Sequence, residues 1–372
     1  MYNTIMKNNN VFSVQNIKCL TGVDMSEHNL PVMVLDSGKE GPVLWLVAAL
    51  HGDEVNGIEV IHRIFKFLKR EPLKRGKIYA LPIANPWGFE LGRRENPYDL
   101  ANMNRFFPGD PTGTTTERID HAIFQFIMET KPTLLIDLHA DTINSIPYVI
   151  VDRIRDKNLQ ENMEKVWHYA ERFGVTVTEE IEEFNKYDLD KNLTFALNQQ
   201  RVPAFLIELG GPNVISEIFA RTGTNGVKNV LKDLDMVDIP KYIDSETKIK
   251  SESRLLLLEN ITCNESGIIK FLVKPSQKIK KNKPLAKIKD ALGKTREIVT
   301  APEEAYVISF SDTVVSFPGS YVFSLAMESV PKERKRSRRN RHIRTETKPA
   351  EPKPEPPKEK PALPAIPPKT DK

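Results

Sequence analysis

The chain reads as an α/β protein: a mainly parallel, mixed sheet covered by helices on both faces, then a small all-β barrel or sandwich and a polar tail. Three observations carry that reading. From Pro42 to about residue 210, continuous apolar runs alternate with segments of helical periodicity, the pattern of buried parallel strands covered on both sides. From residue 254 to 327, short alternating segments replace helical spacing, and Gly or Pro turns recur about every ten residues, as in small all-β domains. From Pro349 to Pro368, Pro, Lys, Glu and Ala replace nearly all large apolar side chains. A segment of that composition cannot bury enough surface to offset its ordering entropy. The expected division is 1–250, 251–330 and a disordered tail at 331–372.

Residues 1–40 contain alternating stretches such as Leu30-Pro31-Val32-Met33-Val34-Leu35 and should supply edge strands. Val43 to Leu50 is an apolar run that ends at His51-Gly-Asp-Glu54. Ile58, Ile61, Ile64, Phe65 and Leu68 then recur at spacings of mostly three and four, which predicts a helix. Lys77 to Ala84 is a further strand ending in Asn85-Pro86. Thr114 and Glu117 fit a capping box before a helix with Ile119, Ala122, Ile123, Phe126 and Ile127 on one face. Thr133 to Leu138 runs into His139, and a strand over Tyr148–Val151 follows. Helices are expected near Leu159–Phe173 and Leu193–Gln200, and the strand Ala204–Ile207 runs into Glu208-Leu-Gly-Gly.

With 372 residues and an apolar fraction of 40%, the chain is long enough for about two domains and a sizeable core. Cys19 and Cys263 are its only cysteines, which rules out a disulfide framework or a cysteine-rich metal site and fits a reducing compartment. The first 16 residues have no signal-peptide apolar stretch, and no run approaches the roughly 18 residues of a membrane helix. A cytoplasmic location is the expectation. The net charge of +4 divides into +8 for residues 331–372 and −4 for residues 1–330. Lys332 to Arg344 alone holds eight Lys/Arg. Such a stretch is either a solvated tail or a tether to an anionic partner: membrane, nucleic acid or acidic cell-wall polymer.

In open α/β sheets, ligands sit at the carboxyl ends of the strands. His51, Glu54, His139 and Glu208 all follow apolar runs, so they should meet at one edge of one sheet. Two His and one Glu with an open fourth position is a catalytic zinc arrangement; one Zn2+ per chain on His51, Glu54 and His139 is expected. Asp137 precedes His139 by two positions, and in a strand both project to one face. Its carboxylate can hold the ring N–H of His139 or of His51. Glu208 suits a general base acting on a zinc-bound water. Between these clusters lies a loop-like segment from Gly92 to Gly109. There Arg105 can clamp a carboxylate with Asn104 beside it, and Arg94 or Arg93 can stabilise an oxyanion.

Taken together, His51-Gly-Asp-Glu54-x-Asn56-Gly57, Asn104-Arg105-Phe-Phe-Pro-Gly, Asp137-Leu-His139 and Glu208-Leu-Gly-Gly resemble the succinylglutamate desuccinylase/aspartoacylase family. That family is a branch of the zinc carboxypeptidase-like fold. The resemblance spans roughly residues 30–325 and implies zinc on His51, Glu54 and His139, Glu208 as base, and Asn104 and Arg105 on the substrate's carboxylate. For the oxyanion it leaves Arg94 as the nearest candidate. It also implies a β domain over 254–327 that shapes access to the site. Those residues resemble a biotinyl/lipoyl-type barrel as well, yet Asp290-Ala-Leu-Gly-Lys-Thr replaces the carrier's Met-Lys hairpin, so no covalent cofactor is expected. The resulting expectation is hydrolysis of the amide bond of an N-acyl amino acid. The alternatives are a carboxypeptidase or amidase acting on peptides, cell-wall peptides included, and an inactive binding protein on the same scaffold.

Overall fold

In a computed structural model, residues 4–5, 10–181, 189–246, 248–251 and 253–329 are described. The tail at 331–372, with the disorder and the anionic partner expected of it, lies outside them.

The three apolar runs become adjacent parallel strands. Lys77–Leu81, Val43–Ala48, Leu134–His139 and Ala204–Glu208 lie side by side in that order. Their side chains alternate between two cores, as a pleated strand buried on both faces requires. Leu44, Leu46 and Ala48 pack with Ile58, Ile61 and Ile64 of the helix Asn56–Leu68. Trp45 and Val47 face the other way, towards Ile119 and Ile123 of the helix Thr115–Glu129. That second helix begins at the expected capping box: Thr114 accepts from the Glu117 amide, and the Glu117 carboxylate accepts from the Thr114 amide.

The sheet continues on both sides to thirteen strands. Tyr148–Val151 joins antiparallel to Ala204–Glu208, and Thr176–Glu180 joins parallel to it. On the other flank Val11–Thr21 pairs antiparallel with Glu27–Asp36. The expected edge position of the latter is corrected here, because Glu27–Asp36 also pairs with Lys77–Leu81 and is interior. Both its faces are covered: Leu30, Val32 and Val34 enter one core and Leu35 the other.

Two helices were not expected from the sequence, Pro86–Leu91, although Asn85 caps it and Pro86 opens it, and Glu217–Asp233. The second is interrupted by glycines that lower helix propensity. Gly223 is needed there by close approach, since a Cβ would lie 2.7 Å from both a Leu209 and a Val60 methyl. Packing against Asn56–Leu68 and Gln160–Phe173 overrides the local preference.

The last third is all-β, with Ile269, Leu285, Ile288, Val307 and Phe323 in its core. Four strands there form a separate small sheet. The others extend the large one, because Leu255–Leu257 pair in parallel with Thr178–Glu180. Residues Met1–Pro331 accordingly form one compact unit. Among the described residues no helix is long and apolar enough to cross a membrane.

Candidate active site

His51 is placed by a sharp exit from its strand. Ala49 has φ 48°, a left-handed conformation rare for a residue with a Cβ, and the Asn85 amide donates to its carbonyl at 2.9 Å. Gly52 follows because the chain is crowded there: a Cβ would lie 2.2 Å from the Gly88 carbonyl carbon and the Phe89 nitrogen. Only glycine lets the segment that carries Arg94 come this close. Asn56, two residues after Glu54, ties the turn to the Glu208 loop. Its Nδ2 donates to the Leu209 carbonyl at 2.9 Å, and its Oδ1 accepts from the Ser216 amide at 2.8 Å.

These local structures bring His51, Glu54 and His139 together, all buried, with one ligand atom from each within 4.8 Å of the others. The two Nδ1 atoms are 3.2 Å apart. Glu54 Oε1 lies 2.7 Å from His51 Nδ1, and Oε2 lies 2.8 Å from His139 Nδ1. The outer ring nitrogens are spoken for: His51 Nε2 contacts Asn102 Oδ1 at 3.0 Å, and His139 Nε2 contacts Asp137 Oδ2 at 2.8 Å. Both partners are acceptors, so each Nε2 carries the proton and each Nδ1 can present a lone pair to the common centre. Two ligand bonds of about 2.0–2.1 Å meeting at a tetrahedral angle put their donor atoms roughly 3.3–3.4 Å apart. The donor set therefore fits a zinc ion.

The electrostatics point the same way. Burial, with Arg94 close by, pulls the His51 imidazole down to about 4, so it is neutral. Burial opposes charge on His139 too, but the Asp137 and Glu54 carboxylates outweigh it and hold this imidazole well above its ordinary value. Burial likewise pushes Glu54 up, and the two imidazoles reverse this to leave it well below the usual range. Two buried carboxylates thus compete for one positive charge at this centre, which a proton or a metal ion can supply.

Glu208 pairs in register with His139 on the neighbouring strand. Its Oε2 is buried without a hydrogen-bond partner. Burial, and the nearby Glu54 and Asp141, push its carboxyl well above the ordinary value. Arg94 Nη1 donates to Glu54 Oε1 at 2.6 Å, whereas Arg93 is exposed and does not line the cavity. Asn104 is buried and accepts from the Leu193 amide at 2.9 Å, which leaves its Nδ2 as the donating end. Arg105 Nη1 donates to the Asn104 carbonyl at 2.6 Å. Arg94, Asn104, Arg105, His51, His139 and Glu208 all line one cavity of about 310 Å³. Every residue expected at the site thus lines this cavity or touches a residue that does, with Arg93 exposed.

Several residues in or behind the cavity carried no expectation. Asn102 lies inside the segment read for anion binding, two residues before Asn104, and its side chain also accepts from the Asn104 amide at 2.9 Å. Asp141, Tyr148, Asp152 and Glu180 come from the central sheet and its loops, and Glu259 and Tyr321 from the all-β part. Glu259 did have a signal: Leu255-Leu-Leu-Leu258 is a fourth apolar run that ends on a carboxylate.

The α/β fold is similar to that of a metallo-carboxypeptidase from Burkholderia cenocepacia, with TM-score 0.50 and 16% identity over 60% of this chain and 65% of the other, and it carries a metal-competent centre at the carboxyl edge of its sheet. Residues 40–234 match the succinylglutamate desuccinylase/aspartoacylase catalytic domain, over half of the chain. The chain belongs to the succinylglutamate desuccinylase/aspartoacylase family. It is similar to an N-alpha-acetyl-L-2,4-diaminobutyric acid deacetylase from Halomonas elongata, at 26% identity over 270 residues, covering 70% of this chain and 74% of the relative. Its fold matches that of a succinylglutamate desuccinylase/aspartoacylase from Rhodobacter sphaeroides, with TM-score 0.72 and 19% identity over 85% of this chain and 96% of the other. A product-bound ectoine utilization protein from Ruegeria pomeroyi gives TM-score 0.70 and 21% identity, over 87% and 98% of the two chains.

Proposed function

We propose that this protein is a zinc-dependent deacylase that hydrolyses the amide bond of an N-acyl amino acid. One observation carries the reading: two imidazole Nδ1 atoms 3.2 Å apart, bridged by Glu54, face the cavity where Glu208 keeps a buried, unpartnered oxygen. Zinc on His51, Glu54 and His139 would supply Lewis acidity and make water nucleophilic near neutral pH. Glu208 takes the proton of the attacking water and passes it to the leaving nitrogen. Arg94 spends one of its donors on Glu54 and has others to offer the developing oxyanion. Asn104 Nδ2 and Arg105 receive the substrate's carboxylate. The deacetylase activity of the Halomonas relative supports an N-acyl amino acid as substrate. So does the cavity, whose volume of about 310 Å³ is at the small end of the about 300–1,000 Å³ usual for ligand sites.

Metal analysis of the purified protein and of His51→Ala, with a panel of N-acyl amino acids and short peptides, tests this. Near one zinc per wild-type chain is expected, lost in His51→Ala, with turnover of N-acyl amino acids that Glu208→Gln abolishes. Absence of stoichiometric zinc, or turnover of peptides alone, would overturn the reading.

A further inference from the structure

The cavity has more carboxyl groups than an N-acyl amino acid with a neutral side chain can use. Beyond the metal ligands, it is lined by the carboxylates of Asp141, Asp152, Glu180, Glu208 and Glu259, against the guanidiniums of Arg94 and Arg105. Glu208 and Asp141 lie at the candidate metal end; Asp141 accepts from the Tyr148 hydroxyl at 3.0 Å. The other three come together through strand register. Val151 pairs with Glu179, so Asp152 comes level with Glu180. Glu180 pairs with Leu257, and Glu259 stands two residues further along on the same face.

Two of these three are engaged. Asp152 accepts from Asn192 Nδ2 at 3.1 Å and Asn198 Nδ2 at 3.0 Å, and Glu180 accepts from the Arg153 backbone amide. Glu259 accepts no hydrogen bond from any described residue. Among the described residues Arg105 is the one guanidinium whose charge is felt by both Glu180 and Glu259, and it does not offset burial: Asp152 is pushed up to about 6, Glu259 to about 7, and Glu180 well above its ordinary value. Leaving a carboxylate without a partner in a recess is costly, so its retention points to a partner that arrives from solution.

We propose that Glu259, assisted by Glu180, binds a positively charged group on the substrate's side chain, which makes N-acyl derivatives of basic amino acids the preferred substrates. The proposal rests on the deacylase reading and adds the substrate class to it. Burial, reinforced by Asp141 and opposed by Arg105, pushes the empty Glu259 up to about 7. A bound ammonium restores its charge, and the pair then sits in a recess where a charge-assisted hydrogen bond is strong. An amino acid with an acidic side chain would meet repulsion at the same wall.

The test compares kcat/KM for matched N-acetyl substrates: N-acetyl-2,4-diaminobutyrate and N-acetylornithine against N-acetyl-2-aminobutyrate and N-acetylnorvaline, with N-acetylaspartate as the acidic member. The wild type should prefer the cationic member of each pair by about tenfold or more, since a site built for a polar group rejects the analogue lacking it. Glu259→Gln should bring that ratio towards one, and Glu180→Gln should lower it less. A purely structural role would lower both substrates alike and leave the ratio unchanged. A wild-type ratio of one or below, or a ratio that Glu259→Gln does not move, overturns the proposal. Turnover of none of the panel would instead remove the deacylase reading. Calorimetric titration of 2,4-diaminobutyrate and 2-aminobutyrate into both proteins then decides: selective binding lost in Glu259→Gln supports the proposal, and equal or undetectable binding rejects it.

Discussion

His139 and Glu208 are register partners on adjacent parallel strands, and the Leu209 amide donates to the His139 carbonyl at 2.9 Å just beyond them. A candidate metal ligand and the candidate base are therefore spaced by the sheet's own hydrogen-bond ladder. Residues held on strands keep their geometry better than residues on loops. His51 and Glu54, by contrast, sit on a turn and depend on neighbours such as Asn102, Asn56 and Arg94.

That contrast leads to a prediction about the groups behind the ligands. Asp137→Asn should weaken zinc binding by about 10–100-fold, as loss of an outer carboxylate partner does at other zinc–histidine sites. Asn102→Ala should weaken it too, by releasing the His51 ring. Competition with a chelator of known affinity, followed by metal analysis, measures both. Stripping zinc from the wild type should also lower its melting temperature, because the ion binds the folded chain selectively. Unchanged zinc affinity in both variants would show that neither acceptor positions its histidine.

The two neighbouring arginines should separate cleanly. Arg94 touches Glu54 and lines the cavity, while Arg93 is exposed. Arg94→Ala is expected to lower kcat by about 10²–10³-fold, the usual cost of losing one oxyanion donor, with zinc content retained. Arg93→Ala should stay within about twofold of wild type, as surface substitutions do. Steady-state kinetics on one N-acyl amino acid decides, and the reverse order would exchange the two assignments.

Gly52→Ala tests the crowding that brings the Arg94 segment to the His51–Glu54 turn. The added methyl would meet the backbone at Gly88 and Phe89, which cannot rotate away as a side chain can. Overpacking of this kind costs about 1–3 kcal/mol. The melting temperature should drop by several degrees, and kcat should drop with it because Arg94 is displaced. A fully stable and active Gly52→Ala protein would mean that the segment moves freely.

The candidate metal ligands were legible in the sequence because buried parallel strands show as apolar runs, and a polar residue that ends such a run marks the carboxyl edge of the sheet. The helix at Thr115–Glu129 was legible down to its cap, because Thr114 and Glu117 carry their own local hydrogen-bond logic. What stayed hidden depends on distant packing. Glu27–Asp36 has the alternation of an edge strand, yet it is interior because Lys77–Leu81 pairs beside it. The helix Glu217–Asp233 has glycines that only its neighbours explain. Arg93 and Arg94 are identical in type, and the backbone's course alone decides which one enters the cavity. Glu259 repeats the pattern that revealed Glu208, but it lies some fifty residues further on, in a region of different secondary structure. The parallel pairing of Leu257 with Glu180 brings it to the same cavity.

Glu259 also provides a pH-dependent stability prediction. Its carboxyl is pushed from 4.5 to about 7 in the folded chain, chiefly by burial. Between those values the folded state binds a proton that the unfolded state has released, so stability falls as pH rises through the window from about 4.5 to 7. Above it, the folded chain carries a poorly solvated charge that Glu259→Gln removes. The variant should therefore melt slightly above wild type at pH 5 and further above it at pH 8, with the gap opening mainly between pH 5 and 7. Thermal melts of both proteins at matched ionic strength and full zinc loading give the comparison. Saturating a cationic product such as 2,4-diaminobutyrate should narrow the gap at pH 8, because the ammonium stabilises the wild-type carboxylate and has no partner in the variant. If the gap stays constant with pH, Glu259 is ionised without cost and already has a counter-charge within the chain, so it would have no need of one from the substrate.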